Sequence, residues 1–174
     1  SAGTIVGSGT IANQDTGMRW THASLRTKYR GWGGSIDTSD HNYNWWDSVH
    51  AQIAGDGGTN SPVNNPCGRN LMVPCDDNNH GTHTTGTVVG DDAGAGVGTG
   101  TNQIGVAPGA RWIGCRNMDA GNGRASTYTE CFQFFLAPTN LLGQSPNPAL
   151  RPHVMNNSWG CPQAGELCPP NVMK

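Results

Sequence analysis

Short β-prone runs alternate along this chain with a stretch of clear helical periodicity, and that alternation restricts it to folds of the α/β class. Gly9–Gln14 (Gly-Thr-Ile-Ala-Asn-Gln), Arg111–Cys115 (Arg-Trp-Ile-Gly-Cys) and His153–Asn157 (His-Val-Met-Asn-Asn) are candidate strands, each bounded by Gly, Pro or a turn signal. Tyr128, Cys131, Phe132, Phe135 and Leu136 fall at i, i+3, i+4, i+7 and i+8, one apolar stripe of a helix over Tyr128–Ala137. Thr127 and Glu130 match a capping box at its start, and Pro138 stops it. His80–Val89 is a second helix, in which Gly81 and Gly86 lower the propensity and permit close packing. The expected architecture has three layers, a mostly parallel sheet flanked by helices. Working residues then gather at the carboxyl ends of strands, where Asp15 falls.

At 174 residues the chain is long enough for a single hydrophobic core. Only 13% of residues are charged and the net charge is −2, with no run of basic residues to neutralise phosphates. Nucleic-acid binding is therefore not expected. No apolar run approaches the ~18–20 residues needed to span a bilayer. No basic segment followed by an apolar one opens the chain, so any leader is expected to have been removed. The 26 glycines and 11 prolines suit many tight turns, and Gly94–Gly100 reads as a flexible loop.

Six cysteines, without any C-x-x-C, favour disulfides over a zinc ribbon and an extracellular location over the cytosol. Connectivity stays open in the sequence. Nearest-neighbour pairing, Cys67–Cys75, Cys115–Cys131 and Cys161–Cys168, is the expectation.

Asp15-Thr16-Gly17 places a carboxylate at a strand end before a turn glycine. Alone it is weak: Asp-Thr-Gly is a common turn and also opens the active-site loop of aspartic proteases. His80-Gly81-Thr82-His83-Thr84-Thr85-Gly86 says more. A histidine at a helix start is held by backbone while its ring faces outward, and imidazole suits proton transfer near neutrality. His83, one turn on, also permits a metal reading, but neither His-Glu-x-x-His nor a Cys/His spacing pattern accompanies it.

Gly-Thr-Ile-Ala-Asn-Gln-Asp15-Thr16-Gly17 resembles the aspartate motif of the subtilisin family, and Asn79-His80-Gly81-Thr82-His83-x-x-Gly86 resembles its histidine motif. Gly105–Ala110 is similar to the segment leading into the next strand of that family. Val154–Gly160 is similar to the strand lining its specificity pocket. The four segments occur in family order, and long loop insertions set the chain nearer to bacillopeptidase F-like members than to the compact subtilisins. The resemblance implies a subtilisin-like fold and a serine endopeptidase acting on extracellular protein. His80 would be the general base, oriented by Asp15. Ser158, Trp159 and Gly160 would form one wall of the S1 pocket. Asn122, Gly123 and Arg124 would pair with an extended polypeptide substrate.

The family order is Asp, His, Ser, and no Gly-Thr-Ser motif follows His80. The oxyanion asparagine segment is missing as well. The resemblance therefore implies that residues 1–174 are the N-terminal portion of one peptidase domain. A C-terminal part, downstream or on a partner chain, would supply both groups, and this chain alone would be inactive. A nicked enzyme and a shortened piece are favoured over a degenerate, peptide-binding relative. No cofactor is implied for the chemistry. A structural calcium is an expectation for the loop Gly90–Gln103, through Asp91, Asp92 and Asn102, although Ser24 stands where the family has a distant aspartate ligand. An aspartic protease and a zinc protein built on His80 and His83 are the rival readings. Asp40–Asp47, with Trp45 and Trp46, is expected to cap the edge of the core rather than rim a cleft. The sequon Asn156-Asn157-Ser158 is discounted because it lies in a presumed active-site strand.

Overall fold

The computed structural model describes residues 9–53, 66–93 and 102–160. Four strands form one parallel sheet in the order β2-β3-β1-β6: β1 (Thr10–Asp15), β2 (Trp45–Asp47), β3 (Arg111–Arg116) and β6 (Val154–Asn156). A two-stranded hairpin, β4 (Met118–Asp119) with β5 (Asn122–Gly123), follows β3 directly. The helices are α1 (Ala23–Arg26), α2 (His80–Val89) and α3 (Ala125–Leu136).

Parallel strands buried on both faces demand helices on both faces, and the alternation of β3 supplies two separate cores. Trp112 faces Met18, Tyr29, Trp45 and Val89 on the α1/α2 side. Ile113 and Cys115 face Cys131, Phe134 and Phe135 of α3 on the other. The Trp112 indole Nε1 donates to Leu25 O at 2.9 Å, so this large buried ring leaves no polar atom unpaired. The three-layer α/β architecture expected from the alternation is present. The cystine Cys115–Cys131 ties β3 to α3, and Cys67–Cys75 staples the segment before α2, both as nearest-neighbour pairing anticipates. Cys161–Cys168 and Gly94–Gly100 lie outside the described residues.

Four local expectations need correcting. Helix α3 starts at Ala125 rather than Tyr128. Thr127 Oγ1 accepts from Arg124 N and donates to Asn117 O, while Glu130, the anticipated box partner, accepts instead from the Trp46 indole and pairs with His50. A tertiary indole–carboxylate contact outcompetes the local cap. The apolar stripe is rotated as well: Phe134 is buried and Leu136 is 66% exposed, because the Cys115 cystine orients the helix about Cys131. Finally, Trp45–Asp47 is an edge strand pairing with β3. Its tryptophans do serve the core: Trp45 is fully buried and Trp46 stacks on Phe134.

Candidate active site

Strand β1 is central in the sheet yet carries Asn13, Gln14 and Asp15, all buried. Polar groups there require partners, and finding them fixes the site. Asn13 Nδ2 donates to Thr84 Oγ1, Thr85 Oγ1 and Gly81 O of α2, and its Oδ1 accepts from Asn156 of β6. Gln14 bonds Asn157 on one side and Asn117 on the other. The strand is thereby locked to α2, β3 and β6 by side chains as well as backbone.

At its carboxyl end, Asp15 is 0% exposed and accepts three hydrogen bonds. Thr16 N (2.7 Å) and His80 Nδ1 (2.8 Å) point at Oδ1, and Thr84 Oγ1 (3.1 Å) points at Oδ2. A carboxylate oxygen accepts, so Nδ1 carries a proton, and in the neutral ring the lone pair lies on Nε2. The His80 side chain is 45% exposed, and Nε2 makes no hydrogen bond among the described residues. The ring is thus gripped at one nitrogen and open at the other.

The start of α2 is positioned by its neighbours. Asn79 at the N-cap adopts φ 69° and makes no side-chain cap. Asp76 takes that role from a distance: Oδ1 accepts from Asn78 N and Asn79 N, and Oδ2 from Thr82 N. Thr16 Oγ1 accepts from Gly81 N and donates to Asp76. Two glycines allow this close docking. A Cβ on Gly81 would lie 2.0 Å from Gly17 O, and one on Gly17, at φ +110°, would lie 1.8 Å from Cys75 O.

Of the other expected site residues, Trp159 and Gly123 meet at Tyr128. Trp159 stacks on Tyr128 with centroids 4.1 Å apart and planes 7° from parallel, and its Nε1 donates to Gln14 O. Gly123 abuts the same Tyr128, whose hydroxyl would be 2.2 Å from a Cβ there. Asn122 lies beside Gly123 in β5. Ser158 Oγ accepts from Asn156 Nδ2, and Gly160 follows at the exposed end of the described chain. Arg124 is engaged elsewhere: its N–H is bound by Thr127 and its guanidinium donates to Gln52 O. Tyr128, Thr84, Thr16 and Asp76 were not singled out from sequence. Thr84 was findable, since it lies four residues after His80 and shares its helix face.

The calcium expectation does not fit the described donors. Asp91 Oδ2 is 2.8 Å from Lys28 Nζ and its Oδ1 accepts from Ala93 N, while both Asp92 oxygens accept from Asn102. Ammonium and amide hydrogens occupy the oxygens a cation would need. The zinc alternative fares no better. His80 turns to Asp15, whereas His83 lines a separate groove with His22, and no group of three potential ligands occurs among the described residues. An aspartic protease built from two copies would need Asp15 open to its counterpart, whereas Asp15 is fully buried with its oxygens bonded to His80 and Thr84.

An imidazole docked on a buried carboxylate sits at the carboxyl end of a central parallel strand, an arrangement able to pass a proton through the open Nε2. The chain belongs to the subtilase family: the model of that family matches residues 7–173. It is 39% identical over 156 residues, 88% of this chain, to Bacillopeptidase F of Bacillus subtilis (strain 168), and the match covers 9% of that protein. No solved structure matches it significantly. No helix among the described residues is long and apolar enough to cross a membrane.

Proposed function

We propose that residues 1–174 are the N-terminal portion of a single peptidase domain, contributing Asp15 and His80 to a secreted serine endopeptidase that cleaves extracellular proteins. The observation that carries this reading is the 2.8 Å contact from His80 Nδ1 to a fully buried Asp15, within a chain of the subtilase family. His80 Nε2 takes the proton of a serine hydroxyl as that oxygen attacks the peptide carbonyl, and later returns it to the leaving amine. Asp15 holds the required tautomer and stabilises the imidazolium. The serine and the oxyanion asparagine come from a C-terminal part of the same protease. Strand β6, with Val154 60% and Met155 39% exposed, has the apolar surface such a part would cover.

The peptide substrate lies extended between Asn122–Gly123 and Ser158–Gly160, paired with backbone on either side, while Arg124, whose own backbone is taken by α3, closes the end of that strand. Two cystines support an oxidising compartment. No cofactor takes part in the chemistry, and neither nucleic acid nor membrane is a partner.

Fluorophosphonate labelling of the protein that contains this chain, followed by intact-mass analysis of every polypeptide, tests the proposal. The expected result is an adduct on a serine outside residues 1–174, lost in a His80→Ala variant. Absence of any adduct in a folded sample would leave a peptide-binding relative without catalysis.

A further inference from the structure

Beneath the β4–β5 hairpin lies a buried charge network that includes neither Asp15 nor His80. Arg116, whose side chain is 0% exposed, places Nη2 against Asp77 Oδ2 and 3.4 Å from Asp119 Oδ1, and places Nη1 3.4 Å from Asp47 Oδ2. Arg69 grips Asp119 Oδ2 through Nε at 3.0 Å and Nη2 at 2.6 Å. Arg116 also donates to Gly68 O at 2.8 Å, beside the Cys67–Cys75 cystine. Removing one member of so dry a cluster leaves its partners uncompensated, so each element it touches is held to the others.

The hairpin needs that hold. Its two turn residues, Ala120 at φ 48° and Gly121 at φ 91°, are both left-handed, the geometry of a tight two-residue hairpin. Glycine adopts it freely, whereas alanine meets steric resistance from its Cβ. Asp77 Oδ2 accepts the Ala120 N–H at 2.9 Å and so fixes this residue in place. Asn78 follows on the other turn residue, its Nδ2 3.1 Å from where a Gly121 Cβ would stand. Asp77 and Asn78 belong to the loop that runs directly into His80.

We propose that Asp77 is a positioning residue for peptide binding: it clamps the strained Ala120 turn, and thereby sets β5 in register with His80. The inference rests on the peptidase reading above, with β5 as the strand that receives substrate. Asp77 touches no substrate itself. Its effect is confined to substrates long enough to pair with β5.

The test uses the full protease and two substrates, a peptide extending several residues N-terminal to the scissile bond and a small activated ester that reaches only the catalytic groups. Asp77→Ala is expected to lose about tenfold or more in kcat/KM on the long peptide, mostly through KM. Ester hydrolysis stays within about twofold. Ala120→Gly in the Asp77→Ala background is expected to restore the peptide to within about threefold of the parent, because glycine needs no clamp. Asp77→Asn, which keeps an acceptor for Ala120 N–H but no charge, falls between, and decides the matter if Asp77→Ala does not fold. Equal losses on both substrates, or no rescue by Ala120→Gly, would overturn the proposal by reducing Asp77 to general stability. A folded parent that hydrolyses neither substrate would instead remove the peptidase reading, and the proposal with it.

Discussion

Two glycines of α2, five residues apart, make opposite predictions. In Gly81→Ala the new methyl would lie 2.0 Å from Gly17 O and 3.0 Å from Asp15 Cβ. Backbone oxygen cannot yield, so the start of α2 must retreat by at least about 1 Å to reach even the tightest contact a Cβ tolerates. The same movement stretches the His80 Nδ1 to Asp15 Oδ1 hydrogen bond from 2.8 Å to about 3.8 Å, beyond bonding range. A catalytic group misplaced by about 1 Å loses on the order of 10²-fold in rate, and a base that loses its orienting carboxylate about 10⁴-fold. The expected fall in kcat/KM therefore lies between about 10² and 10⁴, or about 2.7–5.4 kcal/mol in barrier. Overpacking should cost about 1–3 kcal/mol of stability. Gly86→Ala is the matched control: nothing lies within 4 Å of its Cβ. Relief of glycine's helical penalty should stabilise it by about 0.5–1 kcal/mol with activity unchanged. Both variants would be made in the full protease and measured by peptide hydrolysis and thermal unfolding. A Gly81→Ala enzyme within tenfold of the parent, or a Gly86→Ala enzyme equally impaired, refutes the docking argument.

Replacing Cys115 and Cys131 together by alanine opens a loop of 16 residues, so chemical denaturation should reveal about 3 kcal/mol less stability. The Cys67/Cys75 double variant, with a separation of 8, should lose slightly less, about 2.5 kcal/mol. A pH dependence is expected at His50. Burial alone would lower its pKa, but hydrogen bonds to Glu130 and Asn70 outweigh that and raise it. The folded protein then binds this proton more tightly than the unfolded chain. The stabilisation is complete below the ordinary histidine range and fades as pH rises through the raised value. Thermal unfolding of His50→Ala against the parent should show a gap at acid pH that narrows toward alkaline pH; a constant gap would contradict the assignment.

How far the sequence carried the reading depended on the reach of the interactions. The strands around Asp15 and Arg111 and the helix His80–Val89 follow from local patterns, and the structure places them within a residue of expectation. The two described cystines match a nearest-neighbour pairing that the sequence itself left open. Asp15 and His80 were legible because the residue types flanking them are themselves demanded by the docking. Gly17 and Gly81 admit backbone where no side chain fits, and Thr16 bonds Gly81 N. Long-range competition was not legible. Glu130 sits in a capping pattern yet binds Trp46, 84 residues away in the chain. The strand Trp45–Asp47 is too short and too polar around it for period-two alternation to register. Nor does any local rule place Tyr128 against Trp159 or gather Asp47, Asp77 and Asp119 around Arg116.

The position of β1 at the centre of the sheet sets a timetable for synthesis. Its partner β3 lies about a hundred residues further along, and β6 further still. At translation speeds of about 5–20 residues per second, β1 waits on the order of 5–20 s for its first neighbour. A purely aliphatic strand left unpaired for that time would invite association with other chains. Asn13, Gln14 and Asp15 keep the waiting segment hydrated, and only when α2, β3 and β6 arrive do their amides and carboxylate find protein partners. The carboxylate that orients His80 is thus also one of the groups that keeps the young strand in solution until the histidine exists.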